Sequence, residues 1–144
     1  MSKSDLLDEM RMEVGLAHDY SKSLYDFYEG VIHTLEKRWH YCVHSAIFEN
    51  TWLTFESVGD VSLLPFKREM TIAESPFHLC AMRGKTTAYF KKDQSFLFVP
   101  FFNGQLLQGV LVLETRSDNY VIQEEDFIFL NEISNFIGAV SSQF

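Results

Sequence analysis

The sequence predicts a mixed α/β domain of the α+β type, with helices and strands in separate stretches of the chain. Apolar residues recur at helical spacing over residues 4–39, alternate with period two over much of 40–115, and return to helical spacing over 123–141. A length of 144 residues suits one domain. Apolar residues make up 47% of the chain, which is enough for a sizeable core and argues against global disorder.

Two amphipathic helices are expected at the N-terminus. The first spans about residues 4–19, where Leu7, Met10, Val14 and Ala17 form one stripe. The second spans about 22–39, where a stripe of apolar and aromatic side chains begins at Leu24 and continues to Trp39. Ser23 followed by Asp26 resembles a capping box at its start.

The strands are expected after residue 39. Segments 40–49 and 52–58 form a hairpin, segment 86–90 is a brief strand, and 96–101 and 106–115 form a second hairpin around Asn103-Gly104. Gly109 in the last strand marks a close backbone approach. Residues 59–74 read as irregular, and a short helix over 76–83 starts after Ser75-Pro76 and ends at Gly84. A closing helix is expected over 123–141.

Charge limits the classes of partner. The chain has 20 acidic and 12 basic residues, a net charge of −8, which disfavours binding to a nucleic-acid backbone. No apolar run approaches the length of a membrane span, and the N-terminus lacks the apolar core of a signal peptide, so we expect a cytoplasmic protein without a membrane partner. Residues 67–92 differ from the rest, because six basic and two acidic residues give this segment a charge of +4.

Three stretches carry a resemblance to a known family: Arg83-Gly84-Lys85 after the short helix, Val99-Pro100 leading through the Asn103-Gly104 turn into residues 107–113, and Glu125-Asp126 before residues 127–137. Over about residues 22–142 the chain resembles a GAF domain. That resemblance implies an antiparallel sheet of five or six strands, terminal helices on one face, and a pocket under loops and a short helix on the other. It makes residues 1–144 a single GAF-like domain, with residues 1–21 as an extra helix before the 22–142 core.

GAF domains are sensors and regulators, so the resemblance implies a small-molecule-binding regulatory domain in signalling or transcriptional control. We expect a homodimer, a signalling protein as a further partner, no resident cofactor and no metal. The basic segment favours a small anionic ligand between the 96–101 strand and the short helix. The expected ligand-binding residues are Trp52, His78, Arg83, Val99 and Phe101, with Arg83 as the cation.

Two alternatives remain open at this level. The first is a dimerisation or interaction platform whose pocket is filled by Phe66, Phe77, Phe98 and Phe101. The second is a reductase similar to the GAF-like enzymes that reduce free methionine sulfoxide with clustered cysteines. Because this chain has only Cys42 and Cys80, on different segments, we expect no enzyme.

A metal site is a weaker hypothesis. His40, Cys42 and His44 alternate along the first strand, and Cys42, His44 and Ala46 are predicted to share one face. A closed zinc site needs four ligands, and the sequence offers no second pair. Haem bound through a single histidine has no attachment motif to support it.

Overall fold

The computed structural model describes residues 2–116 and 122–144, and within them the helices and strands follow the predicted order. The elements are α1 (Lys3–Tyr20), α2 (Leu24–Arg38), β1 (Cys42–Asn50), β2 (Thr54–Val58), β3 (Glu69–Thr71), α3 (His78–Arg83), β4 (Thr87–Lys91), β5 (Gln94–Asn103), β6 (Leu106–Thr115) and α4 (Glu124–Val140), followed by a 3₁₀ turn (Ser141–Gln143). None of the helices in these two ranges is long and apolar enough to cross a membrane.

The helix ends are determined by local side chains. Ser23 Oγ accepts a hydrogen bond from Asp26 N at 3.1 Å, which confirms the predicted N-terminus of α2. Gly84 ends α3 in the left-handed conformation that glycine adopts without steric cost. The predicted start of α3 is wrong: Ser75 Oγ donates to Ile72 O instead, and the helix begins at His78 without a side-chain cap.

The six strands form one antiparallel sheet in the order β3-β2-β1-β6-β5-β4. Strand β3 lies in the stretch that the sequence analysis leaves irregular. Its three residues carry no alternating apolar pattern, and they become a strand only because Thr71 and Glu69 pair with Thr54 and Glu56 of β2. This pairing makes β3 one edge of the sheet, and β4 is the other.

Each face of the sheet supports its own apolar core. The helix-side core joins α1, α2 and α4 to the side chains of β5 and β6 that face them, including Val99, Phe101, Leu111 and Leu113. The lid-side core lies on the opposite face, under α3 and the loop before it. Its buried members are Ala46, Phe48, Phe55, Val61, Leu64, Phe66, Phe77, Cys80, Phe96, Phe98, Val110 and Val112.

A bulge in β1 changes the face of one predicted residue. Cys42 pairs with Thr115 and His44 pairs with Glu114, so the register shifts between them. A bulge inserts one extra residue and reverses the alternation beyond it. Cys42 therefore packs in the helix-side core, whereas Ala46 packs in the lid-side core, and the expectation that they share a face is wrong.

Helix α1 covers apolar surface of α4 that the sequence leaves without a partner. Phe129 is buried against Trp39, with ring centroids 5.3 Å apart, and lies under the guanidinium of Arg11 at 5.5 Å. Phe136 packs edge-on against His18, which is on α1. Ion pairs from Lys3 to Asp126 and from Arg11 to Glu132 join the same two helices. The apolar surface of Phe129 and Phe136, on which the expectation of a homodimer is partly based, is therefore largely covered by contacts within the chain.

Two glycines allow close packing between layers. A Cβ on Gly138 of α4 would lie 1.9 Å from the carbonyl oxygen of Phe102, so α4 rests directly on the backbone of β5. A Cβ on Gly109 would lie 2.3 Å from Phe48 O, which confirms the close approach predicted for β6. Both approaches involve backbone atoms, which cannot move aside as a flexible side chain can.

These contacts predict opposite effects for two alanine substitutions in helices. Gly138→Ala inserts a methyl group against the β5 backbone and should lower the free energy of unfolding by about 1–3 kcal/mol. Gly15→Ala is the matched control, because no atom beyond its chain neighbours and the backbone of α1 lies within 4 Å of its Cβ position, and α1 should gain about 0.5–1 kcal/mol. Urea denaturation measures both, and equal stability of the two variants would contradict the close packing of α4.

Candidate functional site

The space between α3 and the sheet, where a ligand pocket is expected, is occupied by the ring of Phe77. This residue immediately precedes α3 and is completely buried. Its ring centroid lies 4.8 Å from those of Phe48 and Phe98, 5.5 Å from that of Phe55 and 5.6 Å from that of Phe66. Such edge-on and tilted contacts are the arrangements that aromatic rings favour.

Further rings extend this packing toward β4. Phe66, from the loop before β3, contacts Phe96 at 5.0 Å, and Tyr89 of β4 stacks on Phe98 at 5.0 Å. The lid-side core is therefore a continuous aromatic cluster, which we call the Phe77 cluster: Phe48, Phe55, Phe66, Phe77, Tyr89, Phe96 and Phe98.

Two predicted ligand-binding residues lie on the wrong face of the sheet. Val99 and Phe101 belong to the helix-side core, and the ring of Phe101 lies 6.0 Å from that of Tyr28 on α2. Successive side chains of a strand point to opposite faces, so the residues of β5 that face the lid are Phe96 and Phe98. The sequence could not settle this point, because β5 is apolar at every position from Phe96 to Phe102.

The other three predicted residues are exposed. Trp52 lies in the turn between β1 and β2 with a φ of +77° and 85% of its surface exposed, so it does not wall a pocket under α3. His78 and Arg83 occupy the two ends of α3 and are exposed as well. A role for Arg83 in binding an anion stays a prediction.

An open groove lies beside the Phe77 cluster, between the two edge strands of the sheet. Its volume is about 540 Å³. We call it the β3–β4 groove; its lining residues are Thr54, Pro65, Phe66, Lys67, Glu69, Met70, Thr71, Glu74, Pro76, Tyr89 and Lys91. The sequence signal that could have indicated it is the basic segment 67–92, which supplies most of this lining.

Charge is distributed unevenly around the β3–β4 groove. Lys67 and Lys91 contribute ammonium groups, whereas Glu69 and Glu74 contribute carboxylates on the side of β3. The six basic side chains of segment 67–92 form no salt bridge within residues 2–116 and 122–144. All six are exposed.

The two cysteines lie in different cores and are both held as thiols. Cys80 is completely buried, its Sγ lies 3.6 Å from Phe98 O, and burial raises its pKa from 9.0 to about 12. Cys42 is buried on the other side of the sheet, where burial and the nearby Glu36 carboxylate also raise its pKa to about 12. Cysteine nucleophiles act as thiolates, and neither environment favours one.

The candidate metal ligands do not assemble. The bulge in β1 separates Cys42 from His44, and within the described ranges no three His, Cys, Asp or Glu side chains are grouped so that they could hold a metal ion. One carboxylate near this strand has a structural role: Glu36 accepts a hydrogen bond from the backbone N–H of Ser45 at 2.6 Å. It thereby satisfies a donor of β1 that lies beyond the pairing with β2.

Comparison with known proteins is informative only at the level of structure. No protein-family profile matches the sequence, and no curated protein matches it. The GAF domain of a phosphoenolpyruvate-protein phosphotransferase from Coxiella burnetii superposes with a TM-score of 0.80 at 14% identity, over 99% of this chain and 96% of that one. The chain has the GAF fold.

A second GAF domain supports the same assignment. It belongs to the phosphoenolpyruvate-protein phosphotransferase of Acinetobacter and superposes with a TM-score of 0.76 at 18% identity, over 99% of this chain and 96% of that one. These superpositions confirm the predicted fold class, an antiparallel sheet with helices, and within residues 2–116 and 122–144 the sheet has six strands.

The comparisons correct the expectation that the chain is not an enzyme. A free methionine-R-sulfoxide reductase from Neisseria meningitidis superposes with a TM-score of 0.76 at 13% identity, over 99% of this chain and 94% of that one. Reductases from Thermoplasma acidophilum and Staphylococcus aureus match too, at 11% and 14% identity. The same fold thus occurs in these GAF domains and in these reductases, and it does not exclude catalysis.

The raised thiol pKa predicts how stability depends on pH. An unfolded thiol ionises near pH 9, whereas folded Cys80 keeps its proton to about pH 12, so the unfolded state binds fewer protons between these values. The contribution of the Cys80 thiol to the free energy of unfolding is fully present below pH 9, and it is lost as the pH rises toward 12. In urea denaturation at increasing pH, Cys80→Ala should show a smaller decline in stability than the parent protein. Equal declines of stability in the variant and the parent protein would contradict a buried neutral thiol. Cys42→Ala provides the same comparison for the thiol in the helix-side core.

Proposed function

We propose that this chain is a regulatory GAF-fold module that acts by binding other proteins. The observation that carries the proposal is the Phe77 cluster, which fills with the chain's own side chains the place expected for a ligand. Protein interiors are close-packed, and a buried ring in contact with four others leaves no volume for a guest molecule. Recognition then depends on the outer surface.

The outer surface has features suited to protein recognition. Trp52 and Leu53 are almost fully exposed in the turn between β1 and β2, and the neighbouring Leu106 is exposed at the start of β6. Exposed aromatic and aliphatic side chains cost solvation free energy, and tryptophan is enriched in the residues that dominate binding at protein interfaces. The positive φ of Trp52 adds local backbone strain, which is common at binding sites.

A second candidate function is the binding of a small anion in the β3–β4 groove. It is favoured by Lys67 and Lys91, whose ammonium groups border the groove and form no salt bridge with any described residue. An unpaired ammonium can hold an oxyanion by charge-assisted hydrogen bonds. This site differs from the one expected from the sequence, because it lies at the sheet edges and not between β5 and α3.

Native mass spectrometry and thermal denaturation distinguish the two functions. Freshly purified protein should carry no retained small molecule, and nitrate, nucleoside monophosphates, cyclic nucleotides and methionine sulfoxide should leave Tm unchanged. A ligand at about 100 times its Kd would stabilise the fold by about 2.7 kcal/mol, which is a shift of several degrees. A retained ligand, or such a shift, would overturn the proposal in favour of a small-molecule sensor.

Substitution of Phe77 tests the observation on which the proposal rests. Phe77→Ala removes the central ring and should lower the free energy of unfolding by about 3–5 kcal/mol. Phe77→Leu keeps part of the apolar volume and should lower it by less. Benzene should stabilise Phe77→Ala and leave the parent protein unaffected, because only the variant has an apolar cavity. Stabilisation of the parent protein by benzene would show that the space is not filled.

The homodimer remains a proposal of ours as well. Its support is the exposed apolar surface that stays on the outer side of the helices, Met12 and Leu16 on α1 and Ile128 on α4. Light scattering at a concentration of about 100 μM should give twice the mass of the chain, and Leu16→Glu should reduce it to one chain. A monomeric parent protein would refute the dimer without affecting the Phe77 cluster.

A further inference from the structure

Strand β4 is an open edge of the sheet. It pairs with β5 from Thr87↔Phe98 to Lys91↔Gln94 and ends the strand order. In the part of the chain that the structure describes, no other backbone segment is hydrogen-bonded to it. Alternate residues of an edge strand direct their N–H and C=O groups away from the sheet, so β4 presents a row of unused donors and acceptors.

The side chains of β4 present apolar surface as well. Tyr89 points to the lid side, where it lines the β3–β4 groove, and its neighbour Phe90 is 72% exposed. Ala88, two residues before Phe90, is exposed too. A strand laid against β4 would contact Tyr89 on one face and Phe90 on the other, which is the cross-strand packing that stabilises sheets.

Charge determines which of the two open edges would accept a partner strand. It also determines whether that strand should be acidic or basic. Strand β4 ends in Lys91, is followed by Lys92, and is preceded by Lys85, all exposed. Strand β3, in contrast, has only three residues, and the two cations just before it, Lys67 and Arg68, are balanced by Glu69 and Glu74. The lysines around β4 outnumber Asp93, which follows Lys92, so the excess positive charge that attracts an acidic segment lies at β4.

We propose that β4 binds an extended acidic segment of a partner protein as a seventh antiparallel or parallel strand of the sheet. This inference rests on the proposed function and specifies its partner. Backbone hydrogen bonds to β4 would supply affinity, Phe90 and Tyr89 would pack against alternate side chains of the segment, and the lysines would select acidic sequences. The segment's side chains on the lid side would enter the β3–β4 groove.

Edge lysines also have an opposing role in many proteins, because they prevent strands from pairing with an exposed edge. The two roles predict different outcomes with an acidic partner, since the charges that repel a basic strand attract an acidic one. A direct binding measurement therefore decides between them.

The probe is a fluorescein-labelled peptide of about seven residues that alternates glutamate with valine, long enough to span the five residues of β4. Fluorescence anisotropy should show saturable binding to the full chain. A peptide of the same sequence with alternate backbone nitrogens methylated keeps its charge but cannot form the ladder, and it should bind at least about tenfold more weakly.

Matched protein variants test the position of the site. Lys91→Glu together with Lys92→Glu should weaken binding by about tenfold or more, because like charges then face each other. Lys37→Glu on α2 makes the same kind of change away from β4 and should leave binding unchanged. Ala88→Pro, checked for folding by thermal denaturation, adds a block at the edge strand itself.

Three results would overturn the inference: no binding of the acidic peptide, equal binding of the methylated peptide, or equal effects of the substitutions on β4 and on α2. The first would show a guarded edge, and the second a purely electrostatic contact. None of the three would touch the proposed function, which depends on the filled Phe77 cluster and is tested separately by ligand binding and by substitution of Phe77.

Discussion

Strand β6 is buried on both faces, and the two halves of the molecule are built on it. Leu111 and Leu113 face the helices, Val110 and Val112 face the lid, and all four are completely buried. Side chains of a strand alternate, so one continuous apolar run can support two separate cores only in the middle of a sheet. The neighbours β1 and β5 contribute to both cores, and β3 and β4 form the edges of the sheet.

The two cores differ in how they are closed. Three long helices close the helix-side core, and the glycine at position 138 lets α4 rest on the backbone of β5. Among the described residues, the lid side is covered by the six-residue helix α3 and a loop, so its closure depends on side-chain volume. Phe77 provides that volume and fills the space beneath α3. Lysine side chains remain exposed at the edge strand β4.

The fold alone does not separate this chain from the reductases, since the Acinetobacter GAF domain and the Neisseria reductase both superpose on it with a TM-score of 0.76. The difference must lie in individual side chains. Here the two thiols are separated by the sheet and held protonated by burial, and the aromatic cluster occupies the space beneath α3. The basic residues of segment 67–92, in contrast, are accessible and unpaired among the described residues.

The sequence by itself determined the local elements and their order. The stripes of α1, α2 and α4, the Ser23 cap, the Gly84 terminus and the apolar run of β6 are local patterns, because a helix or strand reports its own burial through its periodicity. With the motifs around Gly84, Asn103 and Glu125, they were sufficient to predict the GAF fold.

Only the tertiary structure decided which faces and edges these elements present. Strand β5 is apolar at every position from Phe96 to Phe102, so periodicity could not show that Val99 and Phe101 face the helices. The bulge that moves Cys42 arises from pairing with β6, and β3 exists because β2 pairs with it. The β3–β4 groove joins residues as far apart in sequence as Thr54 and Lys91. Pairing and curvature of a sheet are long-range properties, and no local pattern in a single sequence records them.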